Sequence, residues 1–121
     1  MAFSNPIQLT IGGTDYDLVR INMDNYGSHY RLVTSTMKLD LKIRHSSEKP
    51  KGGVAFDRHN VDVTQTIFSG DPDIADTVVQ SYVVLRNPSD DVGDDMPDLA
   101  SALSALLVSG TVLADLVGWQ S

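Results

Sequence analysis

Three histidines, His29, His45 and His59, are the side chains best suited to acid–base or metal chemistry in this sequence. Their spacing puts no two of them on one face of a helix or a strand, so each reads as a surface or interface polar residue, not a metal ligand. Asp71, Asp73 and Asp76 resemble a calcium loop. The glycine and closing glutamate of an EF-hand are missing, however, and no helix precedes them. Ser46 and Ser47 adjoin His45 without the third member of a nucleophilic triad. Gly12-Gly13 and Gly52-Gly53 lack a phosphate-loop lysine and a following helix, so both are turn glycines. The 121 residues include no cysteine, which excludes disulfides, thiolate metal sites and thiol nucleophiles. With no constellation of acid, base and nucleophile, no enzyme is expected and no metal or cofactor is implied.

What remains is charge, and it is unevenly spread. The chain carries 9 Lys+Arg against 16 Asp+Glu, a formal −7, which argues against nucleic-acid binding by the whole surface. Six of the nine cations (Lys38, Lys42, Arg44, Lys49, Lys51 and Arg58) fall between residues 38 and 60, where only Asp40, Glu48 and Asp57 oppose them. Residues 61–121 hold Arg86 against ten aspartates. Taken alone, the basic segment is most simply a solvated polar strand pair.

Alternating and turn-forming runs along the chain define the elements that hold these residues. Ile7-Gln8-Leu9-Thr10-Ile11 alternates with period two, Gly12-Gly13-Thr14-Asp15 supplies a turn, and Tyr16 to Ile21 returns, so residues 7–21 form a hairpin. Residues 24–28 break the pattern, and His29 to Val33 reads as a short strand. Met37 to Arg44 is the clearest strand, with Leu39, Leu41 and Ile43 on one side and Lys38, Asp40, Lys42 and Arg44 on the other. Such a strand belongs to an antiparallel sheet covered on one face only. Residues 46–53 make a polar hairpin loop. Residues 54–68 are again extended, with Val61 and Val63 opposite Asp62, Thr64 and Thr66, and with a bulge expected at His59-Asn60. Ser69-Gly70-Asp71-Pro72-Asp73 is a loop, and Thr77 to Leu85 is a strand with Gln80 and Tyr82 on the open face, closed by Asn87-Pro88.

The period then changes. Leu99, Leu103, Leu106 and Leu107 mark one stripe of an amphipathic helix whose first turn holds Pro97 and Asp98. Asp90, Asp91, Asp94 and Asp95 precede it, suited to the positive end of its dipole. Ser109-Gly110 ends it by a left-handed cap, and Thr111 caps a second helix of about a dozen residues with Val112, Leu113, Leu116 and Val117 on its apolar side. Trp119 reads as an anchor in a core or subunit interface. The class is α+β, with the helices segregated from an antiparallel sheet. The helices can lie on their own sheet or reach across to a partner, and the pattern alone leaves both open. The start, Met1 to Pro6, has no positive or apolar region of a secretion signal, and no membrane association is expected.

Several segments, in one order, resemble the coat proteins of single-stranded RNA bacteriophages, the levivirus group. They are Lys38-Leu39-Asp40-Leu41-Lys42-Ile43-Arg44-His45-Ser46-Ser47, then Val83 to Asp90, then Leu99 to Ser109 followed by Val112 to Val117. The resemblance implies one coat-protein domain over residues 1–121: an N-terminal hairpin (1–22), a five-stranded antiparallel sheet (29–86) and two helices (96–120). It further implies an interlocked dimer in which each chain lays its helices over its partner's sheet, giving one ten-stranded sheet. The helix contacts would come from Leu99, Leu103, Leu106, Leu107, Leu113 and Leu116. Dimers would assemble into a quasi-symmetric icosahedral virion shell in the bacterial host cytoplasm, with the loop Ser69, Gly70, Asp71, Pro72 and Asp73 (broadly 68–76) at the symmetry axes.

The partners implied are therefore further copies of the chain and single-stranded viral RNA. The inner sheet face would bind an RNA hairpin, serving as packaging signal and repressing replicase translation. Carried over by position, Lys38, Lys42 and Arg44 are the phosphate contacts. Thr64, Thr66, Gln80 and Tyr82 would hydrogen-bond or stack. Asp40 and Asp62 on the same face would weaken the attraction. The alternative is a small dimeric α+β binding or regulatory module, or another phage structural component, that assembles no shell.

Overall fold

The computed structural model describes residues 3–90 and 93–120. Met1 and Ala2, read as the start of the hairpin, and Asp91, read within the acidic run, lie outside the described residues. Six strands follow one another in the chain: β1 (Ile7–Ile11), β2 (Thr14–Asp24), β3 (Gly27–Val33), β4 (Met37–Glu48), β5 (Phe56–Ile67) and β6 (Thr77–Pro88). Two helices close the order, α1 (Asp95–Leu107) and α2 (Val112–Val117). The strands form an antiparallel meander in which each pairs with its chain neighbour. The expected α+β class therefore holds.

The hairpin and the five-stranded sheet share a strand. The first half of β2 pairs with β1, and its second half pairs with β3. The register shifts between Arg20 and Asn22, a bulge that bends β2 and carries the hairpin over one face of β3–β5. This is a correction, because the bulge was expected at His59-Asn60. There the β4–β5 and β5–β6 registers run without interruption. The strands are also longer than expected: β4 continues through His45 to Glu48 and β6 through Asn87 to Pro88. At the tight β2–β3 turn a side chain on Gly27 would collide with the Ile43 carbonyl, so only glycine permits β3 to approach β4 there.

The alternation on β4 creates the core. Met37, Leu39, Leu41 and Ile43 are buried with Leu18 and Tyr30, and Ile7, Leu9, Ile11, Tyr16, Leu32 and Val63 pack against them. Burying each of the larger aliphatic side chains is worth about 1.5–3 kcal/mol. The hairpin thus seals the apolar face over β3 and β4. Toward β6 it stops short, leaving a groove of about 340 Å³ lined by Leu9, Ile11, Leu39, Val63 and Val79, among others.

The helices bury almost nothing within their own chain. α1 meets β6, the strand that leads into it, and α2. Leu99, Leu103 and Leu106 are 66%, 54% and 56% exposed, and Trp119 is 96% exposed. Pro97 and Asp98 lie in the first turn of α1 as expected, and Gly110 takes φ +51° beyond its end. α2 has only six residues, half the expected length, and the Thr111 hydroxyl donates to Asp115 Oδ2 at 2.9 Å without capping the helix. The chain exposes 9064 Å², whereas a self-contained 13.1 kDa protein exposes about 6,400 Å². No helix among the described residues is long and apolar enough to cross a membrane.

Candidate nucleic-acid interface

Residues directly opposite across an antiparallel pair share a face, so the register defines the surface turned away from the hairpin. One row joins Val33, Lys38, Thr66 and Val78. The next joins Arg31, Asp40, Thr64 and Gln80; a third joins His29, Lys42, Asp62 and Tyr82; a fourth joins Gly27, Arg44, Asn60 and Val84. Beyond them lie Ser46, Arg58 and Arg86, then Glu48, Phe56 and Pro88. Lys38, Lys42, Arg44, Thr64, Thr66, Gln80 and Tyr82 therefore all stand on one face. At about 3.4 Å per residue along the strand, Lys38 and Arg44 are about 20 Å apart.

Charge on this face is partitioned. Asp40 is a hub: Arg31 Nε and His29 Nε2 both lie 2.8 Å from its Oδ1, and Lys38 Nζ lies 4.0 Å from Oδ2. Partial burial pushes the Asp40 carboxyl up, but the hydrogen bonds from Arg31 and His29 outweigh it and hold the group below the usual carboxylate range. Asp62 accepts from Gln80 Nε2 at 2.7 Å and from the Thr64 hydroxyl at 3.2 Å. Arg86 pairs with Glu48 at 2.8 Å and lies 5.3 Å over the Phe56 ring. Lys42, Arg44 and Arg58 form no ion pair among the described residues. The face carries six cations against three carboxylates, and the unpaired cations gather on β4 and β5.

Tyr82 is largely exposed in the row of Lys42, an aromatic platform beside free positive charge. Arg31, Arg58 and Arg86 were missed as members of this face. The signal for them was the strict period of two across β5 and β6, which carries the polar side past Asp62 to Asn60 and Arg58. Asn60 Oδ1 is buried without a hydrogen-bond partner. Thr64 and Gln80, read as free hydrogen-bonding groups, spend bonds on Asp62 in this state.

The loop 68–76 between β5 and β6 is tied internally. Ser69 N–H donates to Asp76 Oδ1 at 3.0 Å, the Ser69 hydroxyl lies 2.8 Å from the carbonyls of both Asp71 and Ile74, and Asp73 N–H donates to Asp71 Oδ1 at 2.9 Å. On the opposite face His45 and His59 meet across β4 and β5. Spacing alone did not pair these two histidines; the longer β4 brings them together.

Residues 4–88 match the family model described as phage phiCb5, coat protein. The chain belongs to this coat-protein family. The match spans the hairpin and the whole sheet, and solved structures extend the likeness through the helices. The coat protein is similar to the virus-like particle of Beihai levi-like virus 21, with TM-score 0.74 and 14% identity over 95% of this chain and 94% of that one. It is also similar to the virus-like particle of bacteriophage ESE058, with TM-score 0.72 and 12% identity over 98% of each chain. A third likeness is to the bacteriophage EMS014 coat protein, with TM-score 0.68 and 18% identity over 90% of this chain and 76% of that one. A search of curated proteins finds no match. This is a phage coat protein, a structural component of a phage capsid, with the fold of the levi-like virus particle.

Proposed function

We propose that two copies of this coat protein interlock, each laying α1 and α2 over the other's sheet, and that the dimers close into an icosahedral shell around single-stranded phage RNA. The β6 edges of the two chains join their sheets into one ten-stranded surface. Its polar face turns inward and binds an RNA hairpin, which selects the genome for packaging and represses replicase translation. Assembly takes place in the bacterial host cytoplasm, with the loop 68–76 at the symmetry axes.

The observation that carries the dimer is the surface excess. The chain exposes 9064 Å², about 2,700 Å² more than a self-contained protein of this mass. An ordinary association buries about 800 Å² per partner, and an obligate one buries more. The bare stripe of Leu99, Leu103 and Leu106 and the groove beside the hairpin are apolar surfaces of matching kind. β6 also offers an unpaired edge in the ordering of the sheet, which a second β6 would satisfy.

The RNA reading is supported by the unpaired Lys42, Arg44 and Arg58 on a face that the hairpin leaves open, in a chain that is otherwise acidic. Lysine and arginine neutralise phosphate, and Tyr82 can stack an unpaired base. The deciding experiment is expression followed by electron microscopy and nucleic-acid analysis of the product. Particles of virus-like size that co-purify with RNA are expected. An RNA-free dimer at every concentration would instead establish the small binding module.

A further inference from the structure

We propose that His45 and His59 form a two-imidazole chelate for a first-row transition ion at the nickel–copper end of the series. The pair sits on the hairpin-side face, one register row beyond Ile43 and Val61. His45 N–H bonds to the Tyr26 carbonyl at 2.7 Å, so the backbone of His45 points toward β3. His45 and His59 therefore make a non-hydrogen-bonded cross-strand pair, the kind in which side chains approach most closely. Their two Nδ1 atoms converge to 2.8 Å, with the rings at 69°.

Both tautomers are constrained by what surrounds the rings. Asn87 Nδ2 donates to the Pro88 carbonyl at 3.1 Å, leaving Asn87 Oδ1 as an acceptor, and His59 Nε2 lies 3.1 Å from it. His59 thus carries its proton on Nε2 and presents a lone pair at Nδ1. This is the outer-shell arrangement that orients ligating histidines, in which the second ring N–H donates to a carbonyl. In the free protein the Nδ1 proton of His45 fills the gap between the two Nδ1 atoms; when a metal ion takes both lone pairs, that proton leaves to water and His45 takes one up at Nε2, becoming the Nε2–H tautomer.

Ligand type and reach set the class of ion. Two nitrogens at about 2.0 Å from a metal are about 2.8 Å apart when they occupy cis positions at right angles, and about 3.3 Å apart at a tetrahedral angle. The 2.8 Å between the two atoms is set by their hydrogen bond and leaves both within reach of one ion in cis positions, and Cu²⁺ and Ni²⁺ bind imidazole strongly in the series. Among the described residues no third His, Asp or Glu completes a ligand set, so water fills the other positions. A cavity of about 220 Å³ lined by Tyr26, Ser47, Asp57 and both histidines gives that water room. Ser89 and Ser47 donate to Asp57 at 2.8 and 3.0 Å and fix its carboxylate group beside the pair. A bound ion would tie β4 to β5, and through Asn87 to β6.

The test uses the assembled protein and Cu²⁺ alone. Equilibrium dialysis should give one ion per chain, and electron paramagnetic resonance should show superhyperfine splitting from two imidazole nitrogens. His45→Gln and His59→Gln should each abolish stoichiometric binding, whereas Asn87→Ala should weaken it about 10- to 100-fold and His29→Gln should leave it unchanged. A wild-type spectrum without two-nitrogen splitting would overturn the proposal whatever the variants do, as would retention of the ion in His45→Gln or its loss in His29→Gln.

Discussion

Lys42 and Asp62 stand directly opposite each other across β4 and β5, yet they do not pair. The Asp62 carboxylate is taken by Gln80 at 2.7 Å and Thr64 at 3.2 Å. Two uncharged neighbours on β5 and β6 therefore satisfy the acid that would otherwise quench the lysine. The positive charge of β4 is left for something that arrives from outside the sheet.

Removing that charge has a defined signature. Lys42→Ala and Arg44→Ala should each weaken RNA binding and lower the slope of log affinity against log salt by about 0.7–0.9, the value of one phosphate contact. Dimers and thermal stability should be unchanged, because neither side chain is paired within the protein. Filter binding across a salt series checks this, and an unaltered slope would remove both residues from the interface.

The Asp40 hub predicts a pH dependence. Its folded pKa lies below the ordinary value of about 3.9. The ionised carboxylate therefore contributes stability that is fully present above the unfolded value and is lost as pH falls through the lower folded value. Urea midpoints should drop between pH 4 and 2 (about, from the same reference values) more steeply in the wild type than in Asp40→Asn. Equal slopes would mean that Arg31 and His29 give Asp40 nothing.

The bare helix stripe predicts a separation of folding from association. Leu103→Asp with Leu106→Asp should leave the strand circular dichroism intact and yield monomers by analytical ultracentrifugation. Leu39→Ala, at the buried centre of the core, should instead destabilise each chain by about 2–5 kcal/mol. A dimer that survives both aspartates would show that the helices are not its interface.

The loop between β5 and β6 predicts a defect after dimers have formed. Ser69→Ala removes the hydroxyl that meets the Asp71 and Ile74 carbonyls. It should permit dimers but reduce the yield of closed particles under electron microscopy. Normal particles in normal yield would show that the internal ties of the loop have no part in shell closure.

Much of this was legible because β4 states both faces of the sheet in one run: Leu39, Leu41 and Ile43 against Lys38, Lys42 and Arg44. The helix stripe was equally plain. Its destination was not, since α1 and α2 find no seat on their own sheet and a single sequence does not say whose surface they cover. The bulge was misplaced because polar His59-Asn60 mimics a break, whereas the real shift between Arg20 and Asn22 contains no glycine and hides in regular alternation. Pairings such as Gln80 with Asp62 and His45 with His59 depend on register, and register depends on where the β4–β5 loop ends. Reading that loop from residue 46, when β4 runs to Glu48, conceals the histidine pair.

The meander has a bearing on biosynthesis. Each strand pairs with the one made just before it, so the ribosome can release a growing chain whose sheet zips in step with translation, with little loop-closure entropy to overcome at any stage. The adhesive leucines of α1 are made only after β6 is complete. A nascent chain therefore has a finished platform to offer before it exposes the segment that could bind the wrong neighbour.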